Sequence, residues 1–235
     1  MERKISWFRD ARKEKGKLDD RIRVSHSLMS VADECRFCGW LHARGYRRPS
    51  IPVAGITHGI DATAKEMCDH HRRDGTLPIA LRASMEGGFF PDLPFELSFT
   101  DPARDCVILG RLDQLLIEKG GLLAPLDHKS CKKPDEVIRE SRLKQMDLYA
   151  LVLGHWDAYA GYGVSPRGYL MFHYPIFERG GGPGAGHRLA IKSEVRTVST
   201  DPARALDRVD RVLDIVRGPK PPRSADCPFC EWALL

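Results

Sequence analysis

The spacing of apolar residues changes several times along the chain, and the changes mark out its elements. Leu112 to Ile117 and Leu122 to Leu126 are short continuous apolar runs on either side of Glu118-Lys119-Gly120-Gly121, whose glycines supply the positive φ a hairpin turn needs. They predict two adjacent antiparallel strands. Phe95 to Phe99 predicts a strand ahead of them, and Tyr169 to Phe177 with Arg188 to Thr197 a later pair. Helical spacing runs from about Ile56 to Arg73, with Ile60, Ala64 and Met67 facing inward and His58 in the first turn. A second helix is predicted from Asp135, behind Pro134, to about Leu153. A last one follows Ser199 or Thr200 as cap, has Pro202 in its first turn, turns Leu206, Val209, Leu213 and Val216 inward, and stops at Gly218-Pro-Lys-Pro-Pro. Near the N-terminus, Ser25 or Ser27 caps a helix that leads into Cys35.

Closing the central hairpin brings Asp113, at the start of the first strand, beside Asp127 and Lys129 at the end of the second. Asp127 and Lys129 are i, i+2 on a strand and project from one face, with His128 pointing away. Two carboxylates held close raise each other's pKa unless a cation lies between them, and oxygen ligands suit Mg²⁺ or Mn²⁺. The lysine is of the type that orients an attacking water or stabilises charge growing on a phosphate oxygen. A lone Asp-x-Lys suits a solvated ion pair on a strand end equally well, so its neighbours decide between the two.

Gly110-Arg111-Leu112-Asp113, followed 14 positions later (127 − 113) by Asp127-His128-Lys129, resembles the PD-(D/E)XK nuclease superfamily. In particular it resembles the RecB-like branch, including the stand-alone CRISPR-associated exonucleases that process spacers and the AddB nuclease domain. The resemblance implies a restriction-endonuclease-like α/β core, a central mixed sheet flanked by helices. It implies that Asp113 and Asp127 are metal ligands and Lys129 the catalytic lysine. It also implies that Gln145 and Tyr149, i, i+4 on one helical face of KQMDLYALVL, act at the substrate backbone and the lysine. His58 in GITHGIDATAKE matches a metal-ligating histidine, usually for Mn²⁺, and Glu96 fits the strand before the hairpin. The implied function is metal-dependent hydrolysis of DNA, as an exonuclease in recombination or repair, phage DNA metabolism or spacer acquisition, with protein partners in such a complex. The alternative is a non-catalytic nucleic-acid-binding or scaffold subunit that keeps the fold; the intact Asp113, Asp127 and Lys129 favour catalysis.

Charge and composition sharpen this. At 42% hydrophobic and 29% charged residues, the 235-residue chain reads as one soluble domain spanning 1–235. No apolar run approaches the roughly 20 residues needed to cross a membrane, and the charged N-terminal stretch lacks the apolar core of a secretory signal, so a cytoplasmic protein is expected. The net charge of +5 suits an anionic partner, and Lys132, Lys133, Arg139, Arg142 and Lys144, just past the hairpin, are the candidate DNA contacts. The Gly-rich stretch from Arg179 to His187 lacks the Gly-Lys-Ser/Thr ending of a phosphate loop and reads as a hairpin loop.

Cys35-Arg-Phe-Cys38-Gly-Trp40 and Cys227-Pro-Phe-Cys230-Glu-Trp232 echo one another as C-x-F-C-x-W. Together they supply four thiolates, enough for a 4Fe-4S cluster or, alternatively, Zn²⁺. A shared site would staple 25–45 to 218–235 and so join the ends of the chain. Such a terminal tie resembles the iron–sulfur staple of RecB-like nucleases, although those usually carry one cysteine before the core and three after it. Cys68, Cys106 and Cys131 read as ordinary core thiols.

Overall fold

A computed structural model describes residues 8–9, 21–49, 55–94, 96–178 and 186–231. Phe95, most of the Gly-rich loop and Trp232 lie outside these residues. In chain order the elements are β1 (Phe8–Arg9), β2 (Ile22–Ser25), α1 (His26–Glu34), α2 (Arg36–Ala43), β3 (Tyr46–Arg47), α3 (Gly55–Arg73), α4 (Ile79–Arg82), β4 (Gly88–Phe89), β5 (Leu97–Asp101) and β6 (Cys106–Gly110). There follow β7 (Gln114–Glu118), β8 (Leu122–Ser130), α5 (Glu140–Leu153), β9 (Gly163–Val164), β10 (Arg167–Glu178), β11 (Arg188–Ser199), α6 (Pro202–Arg217) and α7 (Pro228–Glu231). The fold is α/β with mixed sheets. No helix among the described residues is long and apolar enough to cross a membrane.

The chain groups into two compact units that alternate in sequence. One takes Val53–Glu96 and Arg111–Asp201. Its sheet has the order β11-β10-β8-β7-β4, with β9 also paired to β8. β7 runs antiparallel to β8 in the register Gln114↔Leu126, through a turn in which Gly121 takes φ +75 and donates its N–H to the Glu118 carbonyl at 2.8 Å. β10 is parallel to β8, and α5 makes the crossover between them, as parallel neighbours require. β7 and the middle of β8 are buried along their length, which is why both read as unbroken apolar runs. Leu116, Ala124, Leu126, Tyr169 and Met171 pack with Cys68, Leu77, Leu81 and Phe90 in the core on one face. Each such leucine contributes about 1.5–3 kcal/mol by leaving water.

Two boundaries differ from the sequence expectation for physical reasons. β8 does not end at Leu126 but runs on to Ser130, because β10 supplies parallel partners from Leu126 to Ser130 beyond the reach of β7. Asp127 therefore sits inside the strand, and Lys129 stands one residue before its end. α5 starts at Glu140 instead of Asp135, since Arg196 Nη1 donates to the carbonyls of Asp135 and Glu136 and holds that stretch out of helical geometry.

The other unit takes Met1–Pro52, Leu97–Gly110 and Pro202–Leu235. Its sheet is β2-β6-β5, with β2 parallel and β5 antiparallel to β6, and a two-stranded β1-β3 pair lies beside it in sequence. Ser25 caps α1 through its side chain to the Leu28 N–H, as expected. α6 begins at Pro202 and buries Val209, Leu213 and Val216, while Leu206 is half-buried. The Arg208 side chain, 1% exposed, is neutralised by Asp33 at 2.9 Å. α1 meets α2 at Gly39, where an added Cβ would come within 2.6 Å of Ala32 Cβ. Gly39→Ala should therefore cost about 1–3 kcal/mol by overpacking. Gly59→Ala, on α3 where a Cβ meets nothing within 4 Å, should gain about 0.5–1 kcal/mol by restricting the unfolded chain. Urea denaturation of the two variants checks the opposite signs.

Candidate functional site

The β7–β8 register would place position 113 opposite 127, and the hydrogen bonds bear this out: Asp113 Oδ2 accepts the His128 N–H at 3.0 Å. Asp127 is only 2% exposed. Its Oδ2 meets the Lys129 ammonium, and its Oδ1 accepts from Gln145 Nε2 at 3.1 Å. Gln145 Oε1 in turn accepts from Lys129 Nζ at 3.1 Å. Gln145 Nε2 also reaches Tyr149 Oη at 2.7 Å, and that hydroxyl donates to the Arg111 carbonyl at 2.7 Å. Asp113, Asp127, Lys129, Gln145 and Tyr149 are thus brought together by β8, the segment before β7, and one face of α5. Burial pushes the Asp127 carboxyl up to about 6, against the pull of Lys129 and with the charge of Asp113 adding to the rise. Burial likewise raises the Tyr149 phenol, which stays a proton donor.

The opposite face of β8 carries His128. His128 Nδ1 is 2.8 Å from His173 Nε2, His173 Nδ1 is 2.9 Å from Ser193 Oγ, and His128 Nε2 is 3.6 Å from Cys68 Sγ. Burial holds both histidines below the ordinary range, His128 at about 4. Cys68 belongs to a stripe on α3 at helical spacing, His58, Asp61, Lys65, Cys68 and Arg72, and Arg72 bonds Gln114 on β7. Lys65 Nζ lies 2.9 Å from Asp61 Oδ2 and 3.0 Å from Asp113 Oδ1. These partners raise its pKa although burial alone would lower it. Asp61 and Lys65 escaped the sequence reading; the stripe that begins at His58 was the available signal. His58 itself is exposed, and among the described residues no group of three carboxylate or histidine ligand atoms gathers within 4.8 Å. Glu96 lies just ahead of β5 and pairs with Arg111 at 3.1 Å.

Of the basic candidates, Lys132 and Lys133 are exposed. Arg139 pairs with Asp135 at 2.9 Å and Lys144 with Glu140 at 2.9 Å. The Arg142 guanidinium lies 5.0 Å from the centre of the Phe172 ring and 3.5 Å from Asp135, so it is part of the packing.

The second centre belongs to the other unit. Cys35 precedes α2 and Cys227 precedes α7, and each partner cysteine follows three residues on, with Gly39 N–H bonding Cys35 O and Cys230 N–H bonding Cys227 O, both at 2.9 Å. The sequence echo thus places each pair at the start of a short helix, the first closed by an i+4 bond and the second by an i+3 bond. Cys35 Sγ is 3.4 Å from Cys230 Sγ, and Cys38 Sγ is 3.6 Å from Cys227 Sγ and 3.8 Å from Cys230 Sγ. The four are buried, lie within 4.8 Å of one another and can hold a metal. Burial pushes Cys38 well up and Cys230 to about 11, while backbone N–H groups of Cys230 and Phe229 outweigh burial and lower Cys227. Phe37, Leu41, Val31, Trp40, Tyr46 and Phe229 pack around the thiols. The Trp40 Nε1–H donates to the Gly218 carbonyl at 3.3 Å, beneath the Arg44 guanidinium at 3.4 Å.

No family model and no curated protein matches the chain. Among solved structures it is similar to the crystal structure of SSO0001, with 10% identity, 94% of this chain and 88% of that chain covered, and a TM-score of 0.45.

The two neighbours Asp127 and His128 give opposite pH dependences to the metal-free protein. Between the ordinary Asp value of 3.8 and about 6 the folded form keeps the Asp127 proton that the unfolded chain has lost, so stability falls as pH rises through that window. Between about 4 and the ordinary His value of 6.5 the unfolded chain holds a proton on His128 that the folded form lacks, so stability rises. Asp127→Asn removes the first slope only. In EDTA, its stability relative to the parent protein should climb with pH from 4 to 6 in urea titrations; parallel curves would refute the buried-carboxyl assignment.

Proposed function

We propose that this chain is a metal-dependent nuclease of the PD-(D/E)XK kind, RecB-like, acting on DNA, with a restriction-endonuclease-like core. The observation that carries the reading is the single hydrogen-bonded network of Asp113, Asp127, Lys129, Gln145 and Tyr149. An ion pair on a strand end needs neither a buried carboxylate nor a glutamine that ties the ammonium and the carboxylate together.

Asp113 and Asp127 fit a divalent cation: the Asp127 carboxyl is buried beside a second carboxylate, a placement whose charge a bound cation would relieve. Lys65 already sits on Asp113 and competes with that ion. His58 stands one helical turn before Asp61 on the same stripe and is the remaining candidate ligand. A bound Mg²⁺ or Mn²⁺ would supply Lewis-acid polarisation of the phosphate and activation of water. The protein's own part lies in Lys129, whose ammonium Gln145 holds on the Asp127 side of β8, aimed to stabilise negative charge on the phosphate oxygens. Lys132 and Lys133 offer two exposed positive side chains to the DNA backbone just beyond β8. A cytoplasmic place and a role beside other proteins in DNA recombination, repair or spacer acquisition belong to the same proposal.

End-labelled single- and double-stranded DNA incubated with Mg²⁺, Mn²⁺ or EDTA tests it. Metal-dependent cleavage is expected, absent in EDTA and abolished in Asp127→Ala. Lys129→Ala should lower turnover by about 10²–10³-fold while metal binding by calorimetry persists. A folded protein inert under every metal, or full activity in Asp127→Ala, would overturn the assignment.

A further inference from the structure

The four cysteines allow a finer statement about what they bind, independent of the nuclease reading. We infer that Cys35, Cys38, Cys227 and Cys230 take one tetrahedral divalent ion of the zinc class rather than an iron–sulfur cluster, with Arg48 as the outer cation on its thiolates.

The sulfur separations carry the argument. A single ion bound by four thiolates at about 2.3 Å sets the sulfurs roughly 3.8 Å apart, the edge of a tetrahedron of that radius. Three separations of 3.4, 3.6 and 3.8 Å lie close to that edge, and all four atoms stay inside 4.8 Å. A 4Fe-4S cluster gives each thiolate an iron of its own, so the width of the iron–sulfide cube adds to the bond lengths and drives the sulfurs much farther apart. Spreading these pairs would break packing that is already closed: Cys38 is 0% and Cys230 1% exposed, and Phe37 and Leu41 fill the space around them. Zinc uptake replaces the thiol protons, which pass to solvent, and changes no oxidation state.

Four thiolates around one divalent ion leave a net charge of −2 in a buried place, and a cation is in position to offset it. The Arg48 side chain is 11% exposed, and its Nη2 donates to Cys227 Sγ at 3.9 Å. The guanidinium also lies 4.5 Å from the centre of the Phe229 ring, inside the second cysteine pair, and its other end is fixed by Glu34 at the end of α1. Ring and carboxylate hold the guanidinium beside the thiolates. Arg48 is thus a positioning residue, and outer partners of this kind typically change metal affinity about 10–100-fold.

The test is metal analysis of the full chain, purified anaerobically from cells supplied with both iron and zinc. One zinc per chain, no acid-labile sulfide and a colourless solution are expected, and cobalt substitution should give the absorption of a tetrahedral thiolate site. Arg48→Met should lose zinc to a chelator about tenfold faster or more, with Arg48→Lys in between. Four irons and four sulfides in brown protein would overturn the single-ion assignment while leaving the four-cysteine centre standing. Zinc lost equally fast from the parent and Arg48→Met would overturn the role of Arg48, and neither metal in the parent would overturn the centre itself.

Discussion

The pairing of β8 with its neighbours is the constraint on which the candidate catalytic site depends. β8 is antiparallel to β7 and parallel to β10, so its hydrogen bonds are claimed on both sides. Side chains alternate along it, with Asp127 and Lys129 toward α5 and His128 toward α3. A slip of one residue would turn the histidine toward Gln145 and bury an aspartate and a lysine against Cys68 and His173. Apolar residues on the His128 face, such as Leu126 and Met171, make that slip expensive, because they would lose their place in the core together. Packing thus fixes where the charges stand, and the charges do little to fix the packing.

What the charges add is tension. Asp127 is a carboxylate in a place that favours its neutral form, restrained by one ammonium and one amide. A buried pair of this kind rarely stabilises a fold more than apolar side chains of the same size would. Its placement in the centre of a sheet therefore adds little to the stability of the fold.

Much of this was legible in the chain because it is local. The Gly120-Gly121 turn, the alternation of Asp127, His128 and Lys129, and the i, i+4 spacing of Gln145 and Tyr149 each follow from a few neighbouring residues, and the structure joins them as their spacing suggests. What sequence could not show was set by distant partners. The extension of β8 waits on β10, and the late start of α5 on Arg196. Thr200, read as a helix cap, spends its hydroxyl on the Ser165 carbonyl instead. Lys65 was overlooked because a lysine on an amphipathic helix reads as solvated until Asp113 arrives from another element. The cysteine echo was visible, but the spacing of two residues inside each pair says nothing of the distance between pairs, which Phe37, Leu41 and Phe229 set.

The cysteine cluster also bears on how the chain is made. Cys35 and Cys230 are separated by 195 positions, and β2 finds its partner β6 only after some 80 residues have intervened. A ribosome delivers the N-terminal helices long before the segment that closes over them, so α1 and α2 leave the exit tunnel with Leu28, Phe37 and Leu41 uncovered. The entropy of closing so long a loop grows only slowly with its length, so the delay burdens the kinetics of folding far more than its equilibrium. During synthesis these apolar helix faces and their reduced thiols are open to chaperones, to oxidants and to one another until Cys227 and Cys230 have been made and can close over them.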